Sequence, residues 1–312
     1  MAAVPGPVPD LRSRQIRALA LITCMLSVLV VMVSAYLRLS GAGLGCADWP
    51  ACYGGILAGQ PHAPVPGARL VHRIVATLAL LAAVLLAWRC RRPQPRQPAA
   101  RHALLLLALM LFLSVVGAWS ANPRLAIVNF INLLGGLGLV TFSWRVATAS
   151  GAVTGMERSA CGPACRAAMA ALTLAVLLGG LIGARYAATA CGTLPDCRGV
   201  WFPLSGWSAL HPFVTLTGPA GMGDAGGVAL HLLHRYAATL AAFLLAAAAL
   251  RLRRVPRARN AVLATLTFLL LEALLGALTV ASGYSLWLAV AHNAGAALLL
   301  ACAVSLLRSV GQ

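Results

Sequence analysis

Two histidines lie inside apolar segments of the chain, at similar distances from the start of each segment. His234 lies six residues into a segment that begins near Val228, and His292 lies seven residues into one that begins near Ser285. At 1.5 Å per residue, each imidazole is expected roughly 9–10 Å along its helix. Side chains that ionise or bind metals are costly inside a bilayer, so their presence there indicates a function. Two imidazoles at one depth on different helices could hold the iron of a b-type haem between them.

Each histidine could instead simply hydrogen-bond to a neighbouring helix. The matched depth of His234 and His292 favours the haem interpretation over that one. Arg235 follows His234 directly, and its guanidinium could pair with haem propionates. His231, one turn before His234, is an alternative ligand or a rim residue of lower rank.

The composition requires a membrane location. The chain is 61% hydrophobic and 10% charged, with a mean hydropathy of +0.87, whereas soluble domains carry about 25% charged residues. The formal net charge is +18, which in a soluble protein would suggest nucleic acid. Here the arginines lie mostly in short loops between apolar segments, so we expect no nucleic-acid partner.

Eight apolar segments are each about 20 residues long, enough to cross a bilayer. They lie near residues 16–39, 69–88, 103–121, 124–147, 167–189, 228–250, 260–282 and 285–307. Arginines cluster before the first segment and after the second, fourth and sixth, and arginine bias places those ends in the cytoplasm. We therefore predict that both termini are cytoplasmic and that loops 40–68 and 190–227 face outward. The first segment is too long for a signal peptide and is predicted to be retained.

The same landmarks occur in the same order in both halves of the chain, which indicates an internal repeat. We divide the chain into an N-terminal four-helix half, residues 1–150, and a C-terminal four-helix half, residues 151–312. The matching landmarks are Arg38 and Arg185, Cys46 with Cys52 and Cys191 with Cys197, His72-Arg73 and His234-Arg235, and Asn129 and His292. An even number of helices per unit predicts a pseudo-twofold axis along the membrane normal.

The N-terminal half lacks a complete histidine pair. His72 is present, but Asn129 stands where the repeat predicts its partner, and an amide is a poor iron ligand. The site beside His72 is therefore either empty or holds a haem with one strong axial ligand and an open opposite face.

Two cysteine pairs of identical spacing fall in the loops predicted to face outward, where disulfides persist. These pairs are Cys46 with Cys52 and Cys191 with Cys197. Each pair closes a tight loop that could hold helix ends over a pocket or act as a redox couple. Cys161 and Cys165 fall in a loop predicted to be cytoplasmic, and we expect them to be reduced thiols.

Four stretches of sequence carry a resemblance to a known family. The segment 38–54, Arg-Leu-Ser-Gly-Ala-Gly-Leu-Gly-Cys-Ala-Asp-Trp-Pro-Ala-Cys-Tyr-Gly, resembles the first extracytoplasmic loop of bacterial haem A synthases. The segment 71–73, Val-His-Arg, resembles their helix-two motif, and segments 275–280 and 286–292 resemble their last two helices. The resemblance extends over nearly the whole chain, in order.

This resemblance implies an eight-helix bundle in the bacterial inner membrane that converts a methyl group of haem O to a formyl group by successive hydroxylations. It implies that haem b lies between His234 and His292, and that haem O binds as substrate in the N-terminal half beside His72. It also implies a redox or haem-transfer role for Cys46 and Cys52. Its expected partners are a haem O synthase and terminal-oxidase assembly factors.

Two positions depart from the family pattern. Arg69 stands where the family usually has a glutamate, and Asn129 where it usually has a histidine. These departures leave open a non-catalytic haem carrier or electron-transfer protein of the same fold, and a small-molecule transporter ranks below it. Glu272, an acid within an apolar segment, needs a partner there and is expected to bond between helices.

Overall fold

The computed structural model describes residues 11–41, 65–119, 125–149, 162–216 and 220–308. Eight α-helices in this part of the chain are long and apolar enough to cross a membrane, and these residues contain isolated bridges but no β-strand. The helices are α1 (Leu11–Gly41), α2 (Val65–Arg91), α3 (Ala100–Trp119), α4 (Ala126–Ala149), α5 (Gly162–Ala184), α6 (Ala225–Leu252), α7 (Arg259–Ala281) and α8 (Leu286–Arg308). The prediction of an all-α, multi-pass membrane protein with eight helices is confirmed.

The helices contain between 20 and 31 residues, which at 1.5 Å per residue is enough to cross about 30 Å of hydrocarbon. Most predicted bounds agree to within a few residues. Helix α6 begins at Ala225, before the predicted start at Val228, because the side chain of Asp224 caps it. The Oδ2 atom of Asp224 accepts a hydrogen bond from the backbone N–H of Gly227 at 2.7 Å, which satisfies a donor that the first turn leaves free.

Residues 11–149 form a packed group in which α1 lies against α2 and α4, and α3 lies against α4. Their shared apolar core runs from Ile16 on α1 to Val146 on α4. In residues 162–308 the closest pairs are α5 with α6 and α7 with α8, and α5 touches α8 only briefly. The two groups meet where α8 contacts α1 and α4, and where α4 contacts α5. The repeat and its pseudo-twofold axis stay predictions.

One end of the bundle, which we call the cysteine-loop end, is where α1 and α5 finish and α2, α6 and α8 begin. The connection from α5 to α6 lies there and contains two 3-10 helices, Ala188–Ala190 and Trp207–Leu210. It also contacts the other group, because the N–H of Ala126 donates to the carbonyl of Val214 at 3.2 Å.

The cysteines give one confirmation and one correction. Cys191 and Cys197 form the expected disulfide, buried against Leu232 of α6. Cys165 was expected to be a reduced thiol, and this is wrong, because it is disulfide-bonded. Cys46, Cys52 and Cys161 themselves lie outside the described residues.

Candidate functional site

His234 of α6 is fixed through one ring nitrogen to the neighbouring helix α5. Its Nδ1 lies 2.8 Å from the carbonyl oxygen of Ala175, a distance at which Nδ1–H donates to that oxygen. The ring lies against Gly179, where an added Cβ would come within 2.9 Å of the imidazole Cε1. Since real Cβ atoms essentially never approach so closely, only glycine at position 179 leaves room for this ring.

His292 of α8 has a closely similar setting on helix α7. Its Nδ1 lies 3.1 Å from Oε1 of Glu272, an ion-pair distance, although the two atoms lack the alignment of a hydrogen bond. The ring faces Gly276, where an added Cβ would lie 3.2 Å from Cε1. The other carboxylate oxygen of Glu272 is buried against Gly295 and has no hydrogen-bond partner.

The two imidazoles thus have similar surroundings, although only that of His234 is held by a hydrogen bond. In each, Nδ1 turns towards a neighbouring helix, and a glycine four residues further along that helix accommodates the ring. Among the described residues, Nε2 of His234 and of His292 has no hydrogen-bond partner. Of the His292 side chain, 29% remains accessible. Histidines that bind a metal commonly use their second nitrogen in this way, so this donor set fits a haem iron.

Arg235, which follows His234 on α6, places a positively charged hydrogen-bond donor beside the histidine. Its Nη1 donates to the carbonyl oxygens of Pro195 and Asp196 at 3.1 and 2.7 Å, which joins α6 to the disulfide loop. Its Nη2 is buried and has no hydrogen-bond partner among the described residues. A buried guanidinium N–H without an acceptor is costly, and the carboxylate of a haem propionate would satisfy it.

His231 is occupied by contacts within the protein. Its Nε2 lies 2.9 Å from the carbonyl oxygen of Ala187, and its ring meets the edge of Tyr284 at 6.4 Å between centroids. The hydroxyl of Tyr284 donates to the carbonyl of Cys191, and burial raises the pKa of Tyr284 to about 12, so it stays protonated. These contacts occupy Nε2 of His231, and its rank below His234 stays a prediction.

The residues predicted for the N-terminal half are less organised. His72 is half-buried on α2, and Arg69 on the same helix is exposed. No contact between His72 and Asn129 is found among the described residues. The Nδ2 of Asn129 donates to the hydroxyl of Tyr186 at 3.3 Å and to the carbonyl of Ala184 at 3.4 Å. Asn129 thus bonds to the end of α5.

Sequence reasoning missed the groups that support the histidines. Gly179 and Gly276 indicate close helix approach, but the sequence does not say that an imidazole approaches them. Glu272 stood out as an acid in an apolar helix, and the structure places it on His292.

Comparisons with known proteins agree with the resemblance. The family described as cytochrome oxidase assembly protein matches residues 17–64 and 69–304. A heme A synthase from Shewanella oneidensis is 31% identical over 94% of this chain and 96% of its own length. One from Symbiobacterium thermophilum is 38% identical over 44% of this chain and 42% of its own length. A protoheme IX farnesyltransferase from Thermus thermophilus is 32% identical over 54% of this chain but only 29% of its own length.

The family match extends over nearly the whole chain, and one relative exceeds 30% identity over nearly all of both sequences. The chain therefore belongs to the haem A synthase family of cytochrome oxidase assembly proteins.

Proposed function

We propose that this protein is a haem A synthase, an oxidoreductase that converts haem O to haem A in the membrane by oxidising a methyl group to a formyl group. Its near-full-length similarity to a heme A synthase supports this activity. The structural observation that carries it is the pair of imidazoles on α6 and α8, each with Nδ1 turned to a neighbouring helix and with no hydrogen-bond partner for Nε2 among the described residues.

In this proposal the C-terminal half, residues 151–312, holds haem b as a resident cofactor between His234 and His292. Bound haem supplies an iron that exchanges single electrons. The protein's own residues set its position: Ala175 and Glu272 orient the two imidazoles, and Arg235 offers Nη2 to a propionate.

The N-terminal half, residues 1–150, is proposed to receive haem O as substrate. In the described helices of this half, His72 is the histidine that lies near the cysteine-loop end. Its side chain is only half-buried and has no hydrogen-bond partner among the described residues. Asn129 faces Tyr186 and Ala184 instead. The substrate iron would therefore meet one strong ligand from the protein, with the opposite face open.

The arginine distribution supports a bacterial inner-membrane protein with both termini cytoplasmic and the cysteine loops outside. The disulfide between Cys191 and Cys197 suits that oxidising side, whereas the disulfide-bonded Cys165 at the arginine-rich end does not support the assignment. We propose the same placement for Cys46 and Cys52. Among partners, a haem O synthase is supported by the similarity to part of a protoheme IX farnesyltransferase, and terminal-oxidase assembly factors by the family description.

A non-catalytic haem b carrier of the same fold is the second candidate. Two observations favour it: Arg69 is exposed rather than directed into a site, and the Asn129 amide is bonded to Tyr186. Both concern the substrate half alone, so the carrier shares the haem b site and differs in catalysis.

The test is haem extraction from membranes that contain this protein, with and without a co-expressed haem O synthase. The proposal expects haem A only when both proteins are present. Haem B and haem O without haem A, at normal membrane levels of the protein, would support the carrier. A purified protein without haem colour would overturn both and favour the transporter.

A second series replaces the departures from the family pattern with Arg69→Glu and Asn129→His, singly and together. If these positions limit catalysis, the double variant forms more haem A per bound haem b than the starting protein. The control is Arg91→Glu, an exposed arginine at the other end of the same helix α2.

A further inference from the structure

Arg38 belongs to α1, but its guanidinium lies among the helices of the other half. Its Nη2 donates to Oδ1 of Asn293 on α8 at 3.0 Å. On α5, a Cβ added at Gly183 would lie 3.6 Å from Nε and Nη2 of Arg38. The guanidinium therefore occupies the gap between α5 and α8, the two helices of that half that barely touch.

This gap opens next to the histidine pair. Gly183 follows by one turn the glycine that accommodates the His234 ring, Gly179, which places the guanidinium about 6 Å further along α5. Asn293 directly follows His292. Arg38 thus lies on the cysteine-loop side of the imidazoles, the side on which Arg235 contacts the disulfide loop.

The charge of Arg38 lacks a counter-ion in the described part of the chain. Its Nε is buried without a hydrogen-bond partner, and no ion pair joins it to Asp196, Asp224 or Glu272, the described acids. The nearby phenol of Tyr186 supplies no negative charge near neutral pH, because burial raises its pKa. A buried cation without an anion is strongly unfavourable.

We propose that Arg38 completes the propionate site of the haem held by His234 and His292, with Nε–H donating to one propionate while Nη2 of Arg235 donates to another. Two buried guanidinium N–H groups without acceptors match the two carboxylates of a haem. The proposal rests on haem binding in the C-terminal half. In this proposal Arg38, which belongs to the N-terminal half, is a positioning residue for the haem of the C-terminal half.

The test compares binding of haem and of haem dimethyl ester, whose propionates carry no charge, to purified haem-depleted protein in detergent. The starting protein is expected to prefer haem. Arg38→Gln is expected to reduce that preference roughly tenfold, the scale of one charge-assisted hydrogen bond, and to lower the midpoint potential of bound haem. Arg17→Gln, an exposed arginine at the other end of α1, is the charge-matched control and should change neither.

Asn293→Ala, which removes the acceptor that orients the guanidinium, should reduce the preference by a smaller factor. It decides the question if Arg38→Gln fails to fold. An unchanged preference in Arg38→Gln, or in Asn293→Ala where it alone folds, overturns this proposal while leaving the proposed function intact. Failure of the starting protein to bind haem overturns the proposed function itself.

Discussion

In residues 11–149, α1 packs extensively against α4, whereas in residues 162–308 the helices in the same order, α5 and α8, meet only briefly. The apolar cores differ accordingly. On α2 the core shared by its four helices includes Val75, three residues after His72. On α6 the corresponding shared core first includes Ala241, seven residues after His234. Nearer His234, the buried residues Leu230 and Ala237 of α6 pack with α5, so among the described residues the four helices of the C-terminal half share no single core at the level of His234.

The two halves also differ in how their histidine rings are held in place. His234 and His292 each have a glycine facing the ring and an oxygen near Nδ1, while His72 has neither among the described residues. A ligand that stays bound benefits from fixed imidazoles. A substrate that must enter and leave needs a less enclosed site.

The largest expected effect comes from removing the histidines themselves. His234→Ala or His292→Ala should abolish the low-spin spectrum of bound haem b almost completely, because one imidazole leaves the iron without its second strong ligand. His72→Ala should leave that spectrum in place and remove haem A formation. Difference spectra of purified protein measure the first effect and haem extraction the second. Equal loss of haem b in all three variants would contradict the division of labour between the halves.

The next largest effect should come from Gly179→Val. Its Cβ would meet the His234 ring at 2.9 Å, so the imidazole must move, and we expect at least a roughly tenfold loss of haem affinity, as for other disrupted ligand supports. Gly276→Val should have a smaller effect because its clearance to His292 is 3.2 Å. Gly117→Val is the control, since nothing described lies within 4 Å of its Cβ position. The measurement is the haem affinity of the folded variants. An unchanged affinity in Gly179→Val would contradict the role of Gly179.

The features of this site that can be predicted are those that a residue's type and its position in the sequence indicate without knowledge of helix packing. The apolar segments predict all eight helices, because length and hydropathy suffice for that in a bilayer. His234 and His292 stand out as polar residues in such segments. The Ala175 carbonyl and Gly179 do not, because every apolar helix offers carbonyls, and helix rotation decides which one faces the ring. The state of Cys165 was wrongly predicted from the side of the membrane assigned to its loop.

A moderate effect is expected at Glu272, whose carboxylate lies against Nδ1 of His292. Glu272→Leu removes the polar partner of that nitrogen and frees the ring to rotate, so haem affinity should fall by about tenfold. Glu272→Gln keeps the size and one oxygen, so it should retain more of the affinity. Haem titration measures both variants. If both variants bind haem with the affinity of the starting protein, Glu272 has no part in orienting His292.

The smallest effect should come from Asn129→Ala, and its size separates the two halves most clearly. The bonds from Asn129 to Tyr186 and Ala184 are long, 3.3 and 3.4 Å, so their loss should cost less than about 1 kcal/mol of stability. A thermal unfolding series in detergent measures this cost. Haem b should be retained, in contrast to the loss expected for His292→Ala at the position matched to Asn129 by the predicted repeat. Haem b loss in Asn129→Ala would show instead that the contact between α4 and the end of α5 helps to hold the cofactor, and the halves would then share one site.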